Sequence, residues 1–432
     1  MKDAFITAIA TLFFSMTSLA QTCLPDGIIL TTQAQVDSFP ILYPGCATIL
    51  GDMTIGESNG GIHNLSPLSG INSIGGSLVI LGNSGLSSLS GLDNITTIGE
   101  NFNLQYNANL TNLTGLGQLS HIGGFFSINE NINLENLEGL TQLNHIGDYL
   151  HISYNHALVD ISALSQIDSL FSLLLITHNY SLPSLTGLEN LTYIGKDCYL
   201  SANISLDNLA ALHNLRYIKE VLSIRNMHAL TNLAGLENLT YVEGLDIYQC
   251  SGLESLDGLS QLDTIAVSLY VRSNLQLAGL YGLSSLDFVG DRISLIDNTN
   301  LSQCAIDVVC NHLLYNADDI EIENNALGCI NKLEVEDSCN IEVGVYAPQL
   351  DNQLWRVLGT PMRSTAVFAA QEMIPGEKQF RLLDAGGRIV RSDRFDGQEY
   401  VFDRGALPGG VYFFQIIDAR GRAFTGKLVI AR

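Results

Sequence analysis

The chain has 432 residues, with 44 acidic and 20 basic side chains and a formal net charge of −24 at pH 7. That balance argues against a nucleic-acid partner, whose phosphates it repels, and against anionic lipid. It suits solubility outside the cell or a basic partner.

Met1 to Ala20 carries Lys2, an apolar run from Ala8 to Phe14 and a small-x-small end at Ser18-Leu19-Ala20. This predicts a secretory signal over 1–20, cut before Gln21. The run is too short to cross a bilayer, and no later stretch is long and apolar enough to do so. No transmembrane segment is expected once the signal is removed.

From Ile74 onward the chain repeats. Ile74, Ile98, Ile122, Ile146, Leu170, Ile194, Ile218, Val242, Ile265 and Val289 open successive units, 24 residues apart except for a 23-residue step from Val242. Within a unit, triplets such as Phe102-Asn103-Leu104 and Leu150-His151-Ile152 alternate apolar, variable, apolar, as a strand with one buried face does. Leu110, Leu113, Leu116 and Leu119 follow at three-residue steps. A coil turning a corner at each step points all four inward. A single unit cannot bury its apolar face alone, so the units must stack into a solenoid.

Asn83, Asn107, Asn131, Asn155, Asn179, Asn203, Asn274 and Asn298 fall three residues after each strand. An inward Asn there can bond free backbone groups where the chain turns, and stacked copies form a ladder. Met227 and Cys250 interrupt it, which predicts local irregularity in those two coils. Gly91, Gly115, Gly139, Gly187, Gly235, Gly258 and Gly282 recur at one corner, with Ala163 and Ala211 in their place twice. Only small residues occur there, so the corner is tight.

These motifs resemble leucine-rich repeats, most closely the receptor L-domain type of insulin- and growth-factor-receptor ectodomains, over residues 23–342. The resemblance implies a mainly β, right-handed solenoid with parallel sheets, and bacterial relatives that are surface or secreted proteins. The expected boundaries are an N-cap over 21–48, repeats over 49–303 and a Cys-rich C-cap over 304–345. A Cys23–Cys46 disulfide would close the N-terminal end, as L-domain-like proteins do. Cys304, Cys310, Cys329 and Cys339 allow three pairings, of which Cys304 with Cys329 and Cys310 with Cys339 is preferred. Cys198 and Cys250 lie two coils apart, about 10 Å, too far to bridge, and read as buried thiols. Export favours disulfides over a zinc site in this cluster. Ala305–Tyr315 reads as a short helix and Asp319–Ile322 as a final strand.

Composition shifts near residue 345. Residues 21–345 hold 34 acidic and 7 basic side chains, a net of −27, whereas 346–432 hold 9 and 12, a net of +3. Residues 346–356 read as a linker. Phe380–Leu383, Arg388–Val390 and Val411–Ile416 read as strands, with hairpin turns at Asp384–Gly387 and Asp418–Gly421. These predict a small antiparallel β-sandwich. FRLLDAGGRIV (Phe380–Val390), LPGGVYFFQI (Leu407–Ile416) and GKLVI (Gly426–Ile430) resemble the C-terminal type A sorting domain of the type IX secretion system of Bacteroidota, over 357–432. Gly359-Thr360-Pro361 stands where that family usually carries Tyr-Pro-Asn-Pro. The resemblance implies an export address read by the type IX secretion machinery, often removed at the cell surface, and a secreted or outer-membrane surface location.

No catalytic spacing emerges. H-E-x-x-H, G-x-S-x-G and phosphate-loop patterns are missing, and no nucleophile has a base and an orienting partner beside it. An enzyme is not expected, nor a cofactor. Stacked His121 and His145 lack a third ligand for a metal. The acidic run Asp318, Asp319, Glu321, Glu323 lacks EF-hand spacing, and strand alternation would divide it between two faces. The ladder Tyr193, Tyr217, Tyr241, with Phe288 further on, reads as stacking between coils.

The better candidate is the variable face of the main sheet. Its aromatic and mixed polar side chains contrast with monotonous inward Leu and Ile, and suit protein or glycan contact. The candidate ligand-face residues are Phe125, Tyr149, His151, Tyr199, Arg225, Tyr248, Tyr270 and Arg272. The chain therefore reads as an exported, cell-surface or secreted recognition or adhesion protein that binds a protein or glycan through this face. The alternative is a structural surface-layer or matrix spacer without a specific ligand.

Overall fold

A computed structural model describes residues 21–57, 61–339, 355–358, 365–370, 373–384, 388–420 and 423–430. The expected signal over 1–20 lies outside them, as do 346–354 of the expected linker, Gly359–Pro361 and Ala385–Gly387. The chain divides into two compact units, Met1–Ile341 and Glu342–Arg432, each with its own apolar core.

In the first unit the apolar–variable–apolar triplets form a long parallel ladder. Its strands are β1 Ile28–Leu30, β2 Met53–Gly56, β3 Leu78–Leu81, β4 Phe102–Gln105, β5 Phe126–Asn129, β6 Leu150–Ser153 and β7 Leu174–Thr177. They continue with β8 Cys198–Ser201, β9 Val221–Arg225, β10 Tyr241–Tyr248, β11 Thr264–Arg272, β12 Arg292–Ile296 and β13 Ile320–Glu323. Equivalent positions of successive repeats lie side by side, as Phe126 does against Phe102 and Leu150. Strand alternation then drives the same two residues of every repeat inward. Phe102, Leu104, Phe126 and Ile128 are wholly buried, and so are the corner leucines Leu110, Leu113, Leu116 and Leu119.

The pairs that open each repeat form a second, shorter set of parallel pairings, such as Thr97–Ile98 with His121–Ile122 and Tyr193–Ile194 with Tyr217–Ile218. The 23-residue step leaves its mark where these two sets meet. Val242 and Leu245 are one residue closer in sequence than Ile218 and Leu222, so the corner between the two short strands is lost. β10 runs straight through it, with a register shift between Val242 and Gly244, and β11 is continuous too although Ile265 and Leu269 keep the four-residue step. The irregularity expected in the coils of Met227 and Cys250 thus lies at the start of the Cys250 coil, and not at the ladder position itself. Both side chains are wholly buried, Arg225 still lies against Tyr248, and the Cys250 amide still donates to Asn274 Oδ1 at 3.0 Å. A buried apolar or thiol side chain fills the ladder position, and the neighbouring strands carry the pairing.

The asparagine ladder is continuous elsewhere. Asn107 Nδ2 donates to the Ile80 and Gln105 carbonyls at 3.0 Å each, and Asn107 Oδ1 accepts the Asn83 amide at 3.2 Å. These bonds secure a turn whose preceding residue is left-handed in every coil. Tyr106, Glu130, Tyr154, His178 and Ala202 all have φ between 53° and 58°. At the tight corner Gly115 has φ +111°, and an added Cβ would lie 2.4 Å from the Leu89 carbonyl carbon of the preceding coil. Where Ala163 and Ala211 replace glycine, the corner is a 3-10 turn, Ser162–Leu164 and Ala210–Leu212.

Both ends are closed. α1, Gln33–Leu42, is held by a capping box between Thr32 and Gln35 and packs Val36 and Phe39 into the core. This helix escapes a periodicity reading, because only two of its residues are buried and Pro40 lies inside it. Disulfide Cys23–Cys46 ties the chain on either side of it. At the other end α2, Asp307–Tyr315, and α3, Lys332–Ser338, are joined by Cys310–Cys339, with Cys304–Cys329 beside them. Their Cα separations are 5.5 and 5.9 Å, within the usual disulfide range. Cys198 and Cys250 are free and buried.

The second unit is antiparallel. β14 Trp355–Leu358, β15 Thr365–Ala370 and β18 Glu399–Asp403 make one sheet. β16 Lys378–Leu383, β17 Ile389–Phe395, β19 Gly410–Ile417 and β20 Ala423–Ile430 make the other. β16 and β17 pair as an antiparallel hairpin, and the Asp384 amide donates to the Arg388 carbonyl at 3.0 Å. Phe368 from the first sheet packs edge-on against Phe380 and Phe414 of the second, with ring centroids 5.0 and 4.7 Å away. β14 begins at Trp355, inside the range read as linker.

Candidate ligand-binding face

The strand residues that do not point into the core line up as three outward columns along the ladder. The middle column runs Asn103, Ser127, His151, Leu175, Tyr199, Ser223, Asp246, Tyr270, Ser294 through paired positions on β4 to β12. The column toward the C-terminal end of the strands includes Gln105, Asn129, Ser153, Arg225, Tyr248 and Arg272. The third, just before or at the start of each strand, includes Phe125, Tyr149 and Asp197.

The eight candidate residues fall into two groups on this face. Phe125 and Tyr149 stack with ring centroids 4.7 Å apart. Beside them lies an uncharged hydrogen-bonded cluster. Asn129 Nδ2 donates to Ser127 Oγ at 2.6 Å, Ser153 Oγ donates to Asn129 Oδ1 at 2.6 Å, and His151 Nδ1 lies 3.3 Å from Ser127 Oγ. Burial lowers the His151 pKa, so the imidazole is neutral near pH 7. Asn103 Oδ1, one rung away, is a buried acceptor without a partner among the described residues.

Tyr199 separates this cluster from a charged one. Asp246 is buried, and its carboxylate is clasped from both neighbouring strands. Arg225 Nε donates to Oδ2 at 2.5 Å and its Nη2 reaches the same oxygen, while Arg272 Nη2 donates to Oδ1 at 3.2 Å. Ser223 Oγ adds a bond to Oδ2 at 3.3 Å. The Arg272 guanidinium also lies 4.7 Å from the Tyr270 ring centre and 5.8 Å from that of Tyr248, a cation–π arrangement. Burial and the Asp197 carboxylate raise the Tyr199 pKa.

Sequence reasoning missed a second feature, the ridge where the strands turn. Tyr154 stacks on His178 at 4.4 Å, and His156 on Tyr180 at 4.5 Å. Tyr106, Ile132, Tyr154, Tyr180 and Ile204 are exposed there. The signal was available: these are the residues one and three places after each strand, which share a column just as strand residues do.

The other candidates are placed as follows. His121 and His145 stack at 4.4 Å and Tyr193, Tyr217 and Tyr241 at 5.7 and 4.9 Å, so both ladders link coils. Among the described residues no three His, Cys, Asp or Glu side chains gather as a metal site. Glu321 and Glu323 share the exposed face of β13 rather than alternating, because they are two residues apart on one strand. A cavity of about 360 Å³ at the N-terminal end is lined by Phe39, Tyr43, Pro67 and Asn72 among others, with no charged side chain.

No protein-family model matches the chain, and no curated protein matches it in sequence. The described residues define a mainly β protein with a long parallel ladder, a separate antiparallel region and disulfides, in which no helix is long and apolar enough to cross a membrane.

Proposed function

We propose that this chain is a non-enzymatic, exported recognition or adhesion protein. In this reading the first unit is a leucine-rich-repeat solenoid of the receptor L-domain type that binds a protein or glycan through its outward sheet face. The second unit is a type IX sorting domain, folded as a small β-sandwich, that delivers the chain to the cell surface or medium. The observation that carries the reading is the chemistry of the outward columns. From β4 to β12 they hold three arginines and two aspartates, and on β13 they continue with Glu321 beside Ser294 and Glu323 beside Ile296. Tyr, Phe, His and Arg concentrate there, side chains enriched in binding hot spots, and no Lys occupies these columns.

The test is a capture experiment with the full chain against cell-surface and host-matrix extracts. A variant with Tyr149, His151, Tyr199 and Tyr270 changed to Ala runs beside it. A partner held by the parent and lost by the variant supports the reading. Capture that survives the change moves the site off this face. No partner in any extract returns the chain to the spacer reading, a rod of thirteen main-ladder strands about 60 Å long.

A further inference from the structure

On β3 to β7 the three outward columns carry no charged side chain, and Asp52 before β2 and Asp197 before β8 bound that stretch. The acids that flank it in sequence, Glu100, Glu130 and Asp148, stand one residue outside the columns. An uncharged floor with an acidic rim disfavours an anionic ligand.

At the centre of this floor the hydrogen bonds run one way. Ser153 Oγ donates to Asn129 Oδ1, and Asn129 Nδ2 donates to Ser127 Oγ, at 2.6 Å each. The Ser127 hydroxyl, already an acceptor, then donates to His151 Nδ1 at 3.3 Å, where Asn129 Nδ2 also approaches at 3.5 Å. Two donors converge on Nδ1, so Nδ1 keeps its lone pair and Nε2 carries the proton. Among the described residues His151 Nε2 has no partner, yet it is not sealed from solvent. The Tyr149 hydroxyl and Asn103 Nδ2 are in the same state, and all three residues are half-buried. Burial, and then Asp148, raise the Tyr149 pKa, so its phenol stays neutral. Three uncharged donors are left over for a ligand.

Phe125 and Tyr149, on successive coils, stack with planes within 8° and centroids 4.7 Å apart, which is the spacing of strands in a sheet. The rings therefore stand upright across the ladder. The face of Phe125 away from Tyr149 is turned toward β4, where the column holds Asn101. An aromatic face beside uncharged donors suits a sugar, whose C–H face packs on the ring while its hydroxyl oxygens accept hydrogen bonds. The spacing favours a glycan over a peptide. Equivalent positions recur about every 4.8 Å across the ladder, close to the length of one pyranose in an extended chain, whereas a peptide repeats a side chain on one face about every 6.8 Å. An extended peptide also gains affinity by main-chain pairing at a sheet edge, and β5 is already paired on both sides.

We infer that the outward face of β4 to β6 binds a neutral, linear glycan laid across the strands, one sugar residue to a coil, with His151 Nε2, the Tyr149 hydroxyl and Asn103 Nδ2 donating to its oxygens. The inference rests on the sheet face being the binding surface and names its ligand class.

The test uses the full chain in affinity electrophoresis against four neutral glycans, hydroxyethyl cellulose, laminarin, amylose and xylan, with polygalacturonate and gelatin as the charged and the peptide probe. At least one neutral glycan is expected to retard the protein, and polygalacturonate and gelatin are not. Calorimetry with the matching mono-, di- and trisaccharide is expected to show affinity rising at each step, as one residue to a coil requires. Asn103→Ala is expected to lose about threefold to tenfold in affinity. Its melting temperature should hold, because the Asn103 side chain bonds nothing in the fold, so a loss there reports the ligand. His151→Phe is expected to lose a similar factor, and the two losses should multiply in the double variant, since the side chains lie two coils, about 10 Å, apart. Polygalacturonate or gelatin retarding the protein as strongly as the best glycan overturns the inference. So does an affinity that stays flat from monosaccharide to trisaccharide, or parent affinity in both variants. Retardation by no neutral glycan overturns the ligand class alone if the capture experiment still finds a partner lost with the four-residue variant, and overturns the sheet-face reading with it if that experiment finds none.

Discussion

His121 and His145 stand on successive coils with their rings stacked face to face, centroids 4.4 Å apart and planes within 5°. Burial, and then the nearby His145, lower the His121 pKa from its ordinary value of 6.5. Burial and then His156 do the same for His178. A histidine with a lowered folded pKa binds fewer protons folded than unfolded, so stability rises with pH across that window. The contribution is present in full above pH 6.5 and is lost as pH falls through the lowered value. Melting temperature is therefore expected to drop between pH 7.5 and pH 5. In His121→Phe, which keeps a ring and loses the proton site, the drop becomes smaller. Identical slopes in the two proteins would remove the stack as a cause.

The asparagine ladder makes a second prediction. Asn131 is wholly buried and bonds the Leu104 and Asn129 carbonyls at 3.0 Å each, while its own carbonyl oxygen accepts the Asn107 amide. Asn131→Leu fills similar volume but strands two carbonyls and one amide. The expected cost is about 2–4 kcal/mol, measured by urea unfolding. A change within error would mean that neighbouring turns hold these groups without help.

Two backbone positions should respond with opposite signs. Ala202 has φ 53° and carries a side chain in a region that favours glycine. Ala202→Gly is expected to gain about 0.5–1 kcal/mol, since relief of left-handed strain outweighs the added chain entropy. Gly115→Ala must place a Cβ 2.4 Å from Leu89 backbone and is expected to lose about 2–4 kcal/mol. Thermal melts of the two variants side by side test the pair, and a shift in the same direction for both contradicts the argument.

Thiol counting checks the cysteine assignment. Burial pushes the Cys198 and Cys250 thiols up to about 12, so neither forms thiolate at pH 8, and thiolate is the reactive form. The native protein should take up no iodoacetamide, and the unfolded, unreduced protein should take up label at these two residues. Reduction should then release the remaining six of the eight cysteines. Peptide mapping that finds label on Cys310 or Cys339 before reduction would remove that disulfide.

Much of this molecule is set by its sequence alone. The 24-residue period, the inward leucines and the asparagine column follow from local spacing, because each repeat must present the same residues to the same neighbours. Periodicity also brings Phe125 and Tyr149 into one column, along with Tyr193, Tyr217 and Tyr241. Only the tertiary structure decided what lies outside that period. α1 and α3 follow no repeat and are held by caps and end packing. The missing residue after Val242 acts at the strand corner rather than at the ladder position of Met227 or Cys250, because the loss falls between two short strands and fuses them. Arg225 and Arg272 are 47 residues apart in sequence and look unrelated. They meet on Asp246 because that carboxylate lies on the strand between theirs and, buried there, takes its bonds from the two guanidiniums and from Ser223 Oγ.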